Sequence, residues 1–228
     1  MQDIKLVNMI EMGMSNAYIL CGEKPILIDT GSEKQPERFI RFCTELDLNP
    51  TDIELIVISH EHADHFINID WIKNLTGAPI LCHTAAKDYL VNGWLPDVKP
   101  RTPIGVEAMK DPPGLGAVPC IEPDLVIESS YDLKPYGIPG EIIHTPGHSA
   151  GSLSVILETG EAIIGDIFLR SHTDSKLVAA FLADDIPALE KSIRLLLEKG
   201  EVYYSGHGGP YIKEEVIAVL KNDSLDVW

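Results

Sequence analysis

The chain has 228 residues, enough for one large domain or two small ones with a sizeable core. Hydrophobic residues at 45% and charged residues at 23% are ordinary for a soluble globular protein. Against 35 acidic side chains stand 18 basic ones, a formal net charge of −17 that repels phosphate backbones and speaks against nucleic acid as a partner.

The first sixteen residues show no basic segment followed by an apolar run, so no secretory signal is expected. No window reaches the ~18 to 20 uninterrupted apolar residues of a membrane span, and no membrane association is expected. Cys21, Cys43, Cys82 and Cys120 are scattered without a paired spacing, which suits reduced packing thiols and a cytoplasmic protein.

In chain order, apolar runs at 17–20 and 25–29 flank Cys21-Gly22-Glu23-Lys24 and predict a hairpin whose second strand ends on Asp29. Ser32 is a candidate N-cap for a helix with Pro36 in its first turn and Phe39, Ile40, Phe42, Cys43 and Leu46 on its apolar side. The stretch 55–59 returns as a β-branched strand and gives way to His60-Glu61-His62-Ala63-Asp64-His65. In extended chain His60 and His62 point to one side and can grip one ion, while Asp64 and His65, where a helical pattern begins, can serve a second. The zinc-peptidase pattern His-Glu-x-x-His fails, because position 63 is Ala and position 64 is Asp.

Helical spacing then continues through Ile69, Ile72 and Leu75 to Gly77, followed by a strand at 79–82 and a helix capped by Thr84. From 93 to 123 prolines and glycines break any long element, with at most a short helix near 105–110, as in a functional loop or lid. Trp94, Met109 and Leu115 in it are candidates for lining an apolar cavity.

The second half repeats the order of the first. A strand pair at 153–157 and 162–166 ends on Asp166, a helix with Asp185 as N-cap and Pro187 near its start runs to Gly200, and a strand at 202–205 delivers His207. Asp29 and His60 thus correspond to Asp166 and His207, as if two related halves met at one site. His148 follows a strand at 141–145, on a turn flanked by glycines. The set supplies His60, His62 and His148 for one metal and Asp64, His65 and His207 for another, leaving Asp166 to bridge them. Donors of nitrogen and oxygen without thiolate suit Zn²⁺, and Fe or Mn tolerate them too. Asp64 is the carboxylate of this run best placed to move a proton. His83 and His144 read as hydrogen-bonded structural residues, and Arg170 and His172 as groups that could contact an anionic substrate.

The chain resembles the metallo-β-lactamase-fold hydrolase superfamily through IDTG around Asp29, HEHADH at 60–65, TPGHSAGS at 145–152, GD at 165–166 and GHG at 206–208. The resemblance covers nearly the whole length. It implies an α/β fold, a four-layer αββα sandwich forming a single domain over 1–228, with all seven metal positions present and Asp29 orienting a ligand without binding metal. It further implies a metal-dependent hydrolase in which two ions share a hydroxide that attacks an ester, thioester, lactone or amide of a small molecule. No signal peptide is expected and Asp166 stands where one β-lactamase class has Cys, so antibiotic hydrolysis is not expected as the native role. Only about twenty residues follow His207, so the appended helical domain of glyoxalase II enzymes, and with it a glutathione thioester substrate, is not expected. The alternative is a persulfide dioxygenase-like oxidoreductase with one iron on residues matching His60, His148 and Asp166; a third reading is a noncatalytic metal-binding module. Assembly into a homo-oligomer is left open.

Overall fold

The computed structural model describes residues 5–110, 117–171 and 175–228. Two six-stranded sheets face each other. The first takes β1 (Val7–Glu11), β2 (Asn16–Leu20), β3 (Ile26–Ile28), β4 (Leu55–Val57), β5 (Ile80–His83) and β6 (Leu125–Ile127) in sequence order, antiparallel up to β3 and parallel beyond it. The second holds β7 (Ser130–Asp132), β8 (Gly140–His144), β9 (Leu153–Leu157), β10 (Glu161–Ile163), β13 (Val202–Tyr204) and β14 (Tyr211–Ile212) in the order β14-β13-β10-β9-β8-β7. A separate hairpin joins β11 (Phe168–Arg170) to β12 (Leu177–Ala179).

Strand alternation explains the layering. Along β3, Ile26 and Ile28 face Ile142, Val155, Leu157 and Ile163 of the other sheet, while Leu27 faces outward. That outer face packs on Phe39 and Cys43 of α1 (Pro36–Glu45), Ile69 and Ile72 of α3 (Ile69–Thr76), and Ala86 and Leu90 of α4 (Thr84–Asn92). The second sheet turns Ile156 and Ala162 toward Leu189, Ile193 and Leu196 of α6 (Ile186–Lys199) and Val216 and Leu220 of α7 (Lys213–Leu220). Central strands covered on both faces read as unbroken apolar runs, and the result is the αββα sandwich.

The internal repeat is real in topology. β2, β3, α1 and β4 make a hairpin, a helical crossover and a parallel return; β9, β10, α6 and β13 do the same. Asp185 caps α6 as expected, its carboxylate accepting from Ala188 N–H at 2.9 Å.

Other local expectations need correction. Ser32 does not cap α1, which starts after Gln35, because the Ser32 hydroxyl accepts instead from Met14 N–H at 2.8 Å. Ile40 is 43% exposed on α1, since Phe39 and Cys43 already fill the contact with the sheet. The cap of α4 is His83, whose Nδ1 accepts from Ala85 N–H, and Thr84 is the first helical residue. The predicted helix from Asp64 onward is split into α2 (Ala63–Phe66) and α3. In the 93–123 segment α5 (Pro103–Ala108) is capped by Thr102 and Gly105 lies against Phe181, where a Cβ would come 2.3 Å from the Phe181 oxygen. Leu115 falls outside the described residues.

Candidate metal centre

The centre lies where the parallel strands of both sheets end. After β4 the chain runs on through Ser59 and His60, bends at Glu61 and enters α2 after His62, so His60 and His62 project from the strand-to-helix connection and Asp64 and His65 from the first turn of α2. From the other half come His148, on the turn after β8; Asp166, after β10; and His207, after β13. His60, His65, His148, Asp166 and His207 are buried, and His62 and Asp64 are partly open at the mouth.

Three groups offer converging donor atoms, each set within 4.8 Å: His60, His62 and His148; Asp64, His65 and His207; and His60, His65 and Asp166. His62 Nδ1 and His148 Nε2 stand 2.9 Å apart, and His207 Nε2 stands 3.2 Å from both Asp64 Oδ2 and Asp166 Oδ2. Asp166 Oδ2 is also 3.8 Å from His148 Nε2, and its Oδ1 is 3.5 Å from His65 Nε2. The Asp166 carboxylate therefore sits between the two ligand groups.

Neighbours orient the rings. His65 Nδ1 donates to Asp29 Oδ2 at 2.8 Å, His148 Nδ1 to Leu182 O at 3.0 Å and His207 Nδ1 to Met14 O at 2.8 Å, since carbonyls and carboxylates only accept. Ser59 gives its hydroxyl proton to Asp29 Oδ2 at 2.6 Å, so its oxygen is left to accept from His60 Nδ1 at 3.0 Å. All four rings thus turn Nε2 inward, whereas His62 presents Nδ1.

Three of the inward atoms, His60 Nε2, His65 Nε2 and Asp166 Oδ1, are buried without a hydrogen-bond partner among the described residues. Such an atom costs about 1–3 kcal/mol when left unpaired. Three of them at one point, on imidazole and carboxylate, fit a bound cation.

The two sides differ in charge. Burial and the surrounding histidines press His60 well below the ordinary imidazole value and His62 down to about 3, which favours the neutral ring at both. Burial also opposes charge on His65 and His207, but Asp64 and Asp166 outweigh it, holding His65 well above the ordinary value and His207 up to about 10. Burial alone would raise the Asp64 and Asp166 carboxyls; the facing His65 and His207 instead hold both well below the ordinary value.

The sequence profile of the metallo-beta-lactamase superfamily matches residues 10–207. The chain belongs to that superfamily. It is similar to a "probable metallo-hydrolase" of Methanocaldococcus jannaschii, 36% identical over 201 residues that cover 85% of this chain and 87% of that one. Its fold matches a metallo-beta-lactamase superfamily protein of Sulfolobus tokodaii with a TM-score of 0.68 at 21% identity, covering 95% and 85% of the two chains. It also matches a protein solved in a di-iron-bound form, TM-score 0.68 at 21% identity, over 93% of this chain and 98% of that one. This metallo-hydrolase relative thus carries a candidate metal-binding cluster of histidines and aspartates.

Of the remaining expected residues, Arg170 donates its backbone N–H to His207 O at 2.8 Å, and a Cβ on Gly208 would come 2.8 Å from its Nε, so it lies across the His207 loop. His172 falls outside the described residues. Trp94 is 56% exposed and meets Tyr89 of α4 edge-on; among the described residues no contact brings it to the cluster. Met109 is exposed. His83 and His144 are structural in their bonding: they stack at 3.6 Å and donate to the Glu128 and Ala150 carbonyls.

Glu61 escaped the sequence reading as anything but one acid in a ligand-rich run. It is buried and turned away from the cluster, accepting from Ser149 Oγ–H at 2.9 Å and Gly151 N–H at 3.2 Å. It ties the loop of His60 and His62 to the turn of His148. The only available signal was its place between two histidines that share one side, which puts it on the opposite one.

Proposed function

We propose that the protein is a hydrolase with two divalent cations, one held by His60, His62 and His148 and one by Asp64, His65 and His207, with Asp166 shared. The observation that carries this is the set of buried, partnerless atoms on His60, His65 and Asp166, facing one another where the two ligand groups meet. Zinc suits the nitrogen and oxygen donors; iron and manganese are accepted by the same set, and a fold relative is known with two irons.

Bound cations supply polarisation of a scissile carbonyl and a water acidic enough to attack near neutral pH. The chain supplies the rest. Asp29, Met14 O and Leu182 O keep the rings of His65, His207 and His148 turned inward. Asp64, partly open at the mouth and 3.2 Å from His207, takes the proton of the attacking water and returns it to the leaving group. Arg170, across the His207 loop, meets an anionic part of a small-molecule ester, thioester, lactone or amide. The four free thiols fit a reducing compartment, and we place the protein in the cytoplasm; among the described residues no helix is long and apolar enough to cross a membrane.

The test is elemental analysis of protein purified without added metal, followed by an ester, thioester and lactone screen with and without chelator. About two metals per chain and chelator-sensitive hydrolysis support the reading. One iron per chain with oxygen consumption would replace it by the dioxygenase, and no bound metal would leave only a noncatalytic module.

A further inference from the structure

The turns that carry His148 and Asp166 are joined by one stretch of chain, residues 179–185. Ala179 pairs with Phe168, and Ala180 N–H donates to Ile167 O at 2.9 Å, one residue from Asp166. Leu182 O accepts from the His148 ring at 3.0 Å. Asp184 N–H and Asp185 N–H then donate to the backbone oxygens of His148 and Gly147 at 3.3 and 3.1 Å. The stretch is a strut with one end on each ligand turn.

Its other edge is gripped from the 93–123 segment. Arg101 N–H donates to Phe181 O at 2.8 Å, Ala183 N–H donates to Lys99 O at 2.9 Å, and Pro100 bridges Leu182. The Arg101 side chain, 2% exposed, gives Nε–H to Ala180 O at 2.7 Å and both terminal nitrogens to Asp223, at 2.6 and 2.9 Å. Asp223 is anchored in turn: its Oδ1 accepts from Leu225 N–H at 3.1 Å, and Leu225 and Val227 are buried in the core beneath α6 and α7.

This is more than a surface ion pair. A guanidinium offers a planar fork for a carboxylate and a further donor at a fixed angle for a carbonyl, a geometry that a lysine ammonium does not reproduce. Burial pushes the Asp223 carboxyl up, and Arg101 more than offsets this, holding it below the ordinary value.

We propose that Arg101, clamped by Asp223, is a positioning residue of the metal centre: it holds the 179–185 strut so that Leu182 O meets the His148 ring and the Asp166 turn keeps its place. The inference rests on the metal-binding reading above. It also changes the expectation for the 93–123 segment, whose Lys99 to Arg101 portion supports ligand geometry from behind the 179–185 strut.

The test uses the full chain as wild type, Arg101→Lys, Asp223→Ala, Asp223→Asn and, as a control ion pair of the first half, Lys73→Met, which breaks the Lys73–Asp124 contact. Zinc affinity is measured by chelator competition, the ligand field by the visible spectrum of the cobalt-substituted protein, and melting temperature with zinc and after chelation. Arg101→Lys and Asp223→Ala should weaken zinc binding about tenfold or more, the size of effect known for groups that orient ligands. They should also shift the cobalt spectrum and narrow the gap between zinc-loaded and chelated melting temperatures. Lys73→Met should lower both temperatures equally and leave affinity and spectrum unchanged. If Asp223→Ala does not fold, Asp223→Asn carries the same comparison. Equal falls in both melting temperatures with unchanged affinity and spectrum in the Arg101 and Asp223 variants would overturn the proposal. A wild type that binds no metal would overturn the parent reading instead.

Discussion

Compare the ends of β4 and β13, the parallel strands that close the two related halves. Counting from the last strand residue, Ser59 and His60 follow Val57 as Gly206 and His207 follow Tyr204. In the first half Ser59 gives its N–H and its hydroxyl to Asp29, at 2.7 and 2.6 Å, and His65 adds a third donor at 2.8 Å. Both oxygens of Asp29 are occupied. In the second half the matching residue has no side chain, and a Cβ there would come 2.1 Å from Asp166 Oδ1 and 2.5 Å from the His65 ring. Asp166 also lies three residues past β10, with Gly165 at φ +53°, whereas Asp29 directly follows β3. Asp166 therefore reaches the centre with an unpaired oxygen. The same residue type at related strand ends orients a ligand in one half and faces the metal position in the other, and the donors opposite decide which.

The comparison breaks most sharply at Asp166. Asp166→Ala should remove metal from the centre and abolish turnover, because the chemistry depends on the bound cations; elemental analysis alongside the rate shows whether both fall together. Gly206→Ala is the next largest. Its methyl group must displace the Asp166 carboxylate or the His65 ring, an overpacking cost of about 1–3 kcal/mol, and metal content should fall while circular dichroism stays native. Asp29→Asn sharpens the contrast: Asn tolerates the positive φ of 59° at this position, so the fold should survive. Metal affinity should drop about 10–100-fold by competition titration while full occupancy returns at high metal concentration. The smallest effect belongs to Glu61→Ala, which leaves Gly151 N–H without its acceptor while Ser149 Oγ–H can turn to Ser152 Oγ at 3.0 Å, and should cost about 1–3 kcal/mol of stability, read by heat or by denaturant. Glu61→Gln, keeping one acceptor oxygen, should recover part of that.

The parts of this design legible in the sequence are those written in side-chain type at a strand end: Asp29, His60, Asp166 and His207 stand out because each closes an apolar run. The helices were legible where apolar residues recur at helical spacing, as in α3 and α6. The supporting groups were not, because Met14 O and Leu182 O are backbone carbonyls, whose role carries no mark in residue identity. Arg101 and Asp223 lie 122 positions apart, and nothing local pairs them. Short edge strands such as β7 and β14, three and two residues long, give too few alternations to show a period. The helix caps misled for a related reason: Ser32 and Thr84 are good capping residues by type, but Met14 N–H claims the first hydroxyl and the His83 ring already satisfies Ala85 N–H.

In the function proposed here the two halves jointly hold two cations with Asp166 between them. A crystal structure of protein purified without chelator, with anomalous difference maps collected on either side of the absorption edge of the metal found by elemental analysis, tests it directly. Two peaks are expected, one against His60, His62 and His148 and one against Asp64, His65 and His207, both in contact with Asp166. A single peak on His60, His148 and Asp166, or peaks that leave Asp166 without a metal, would contradict it.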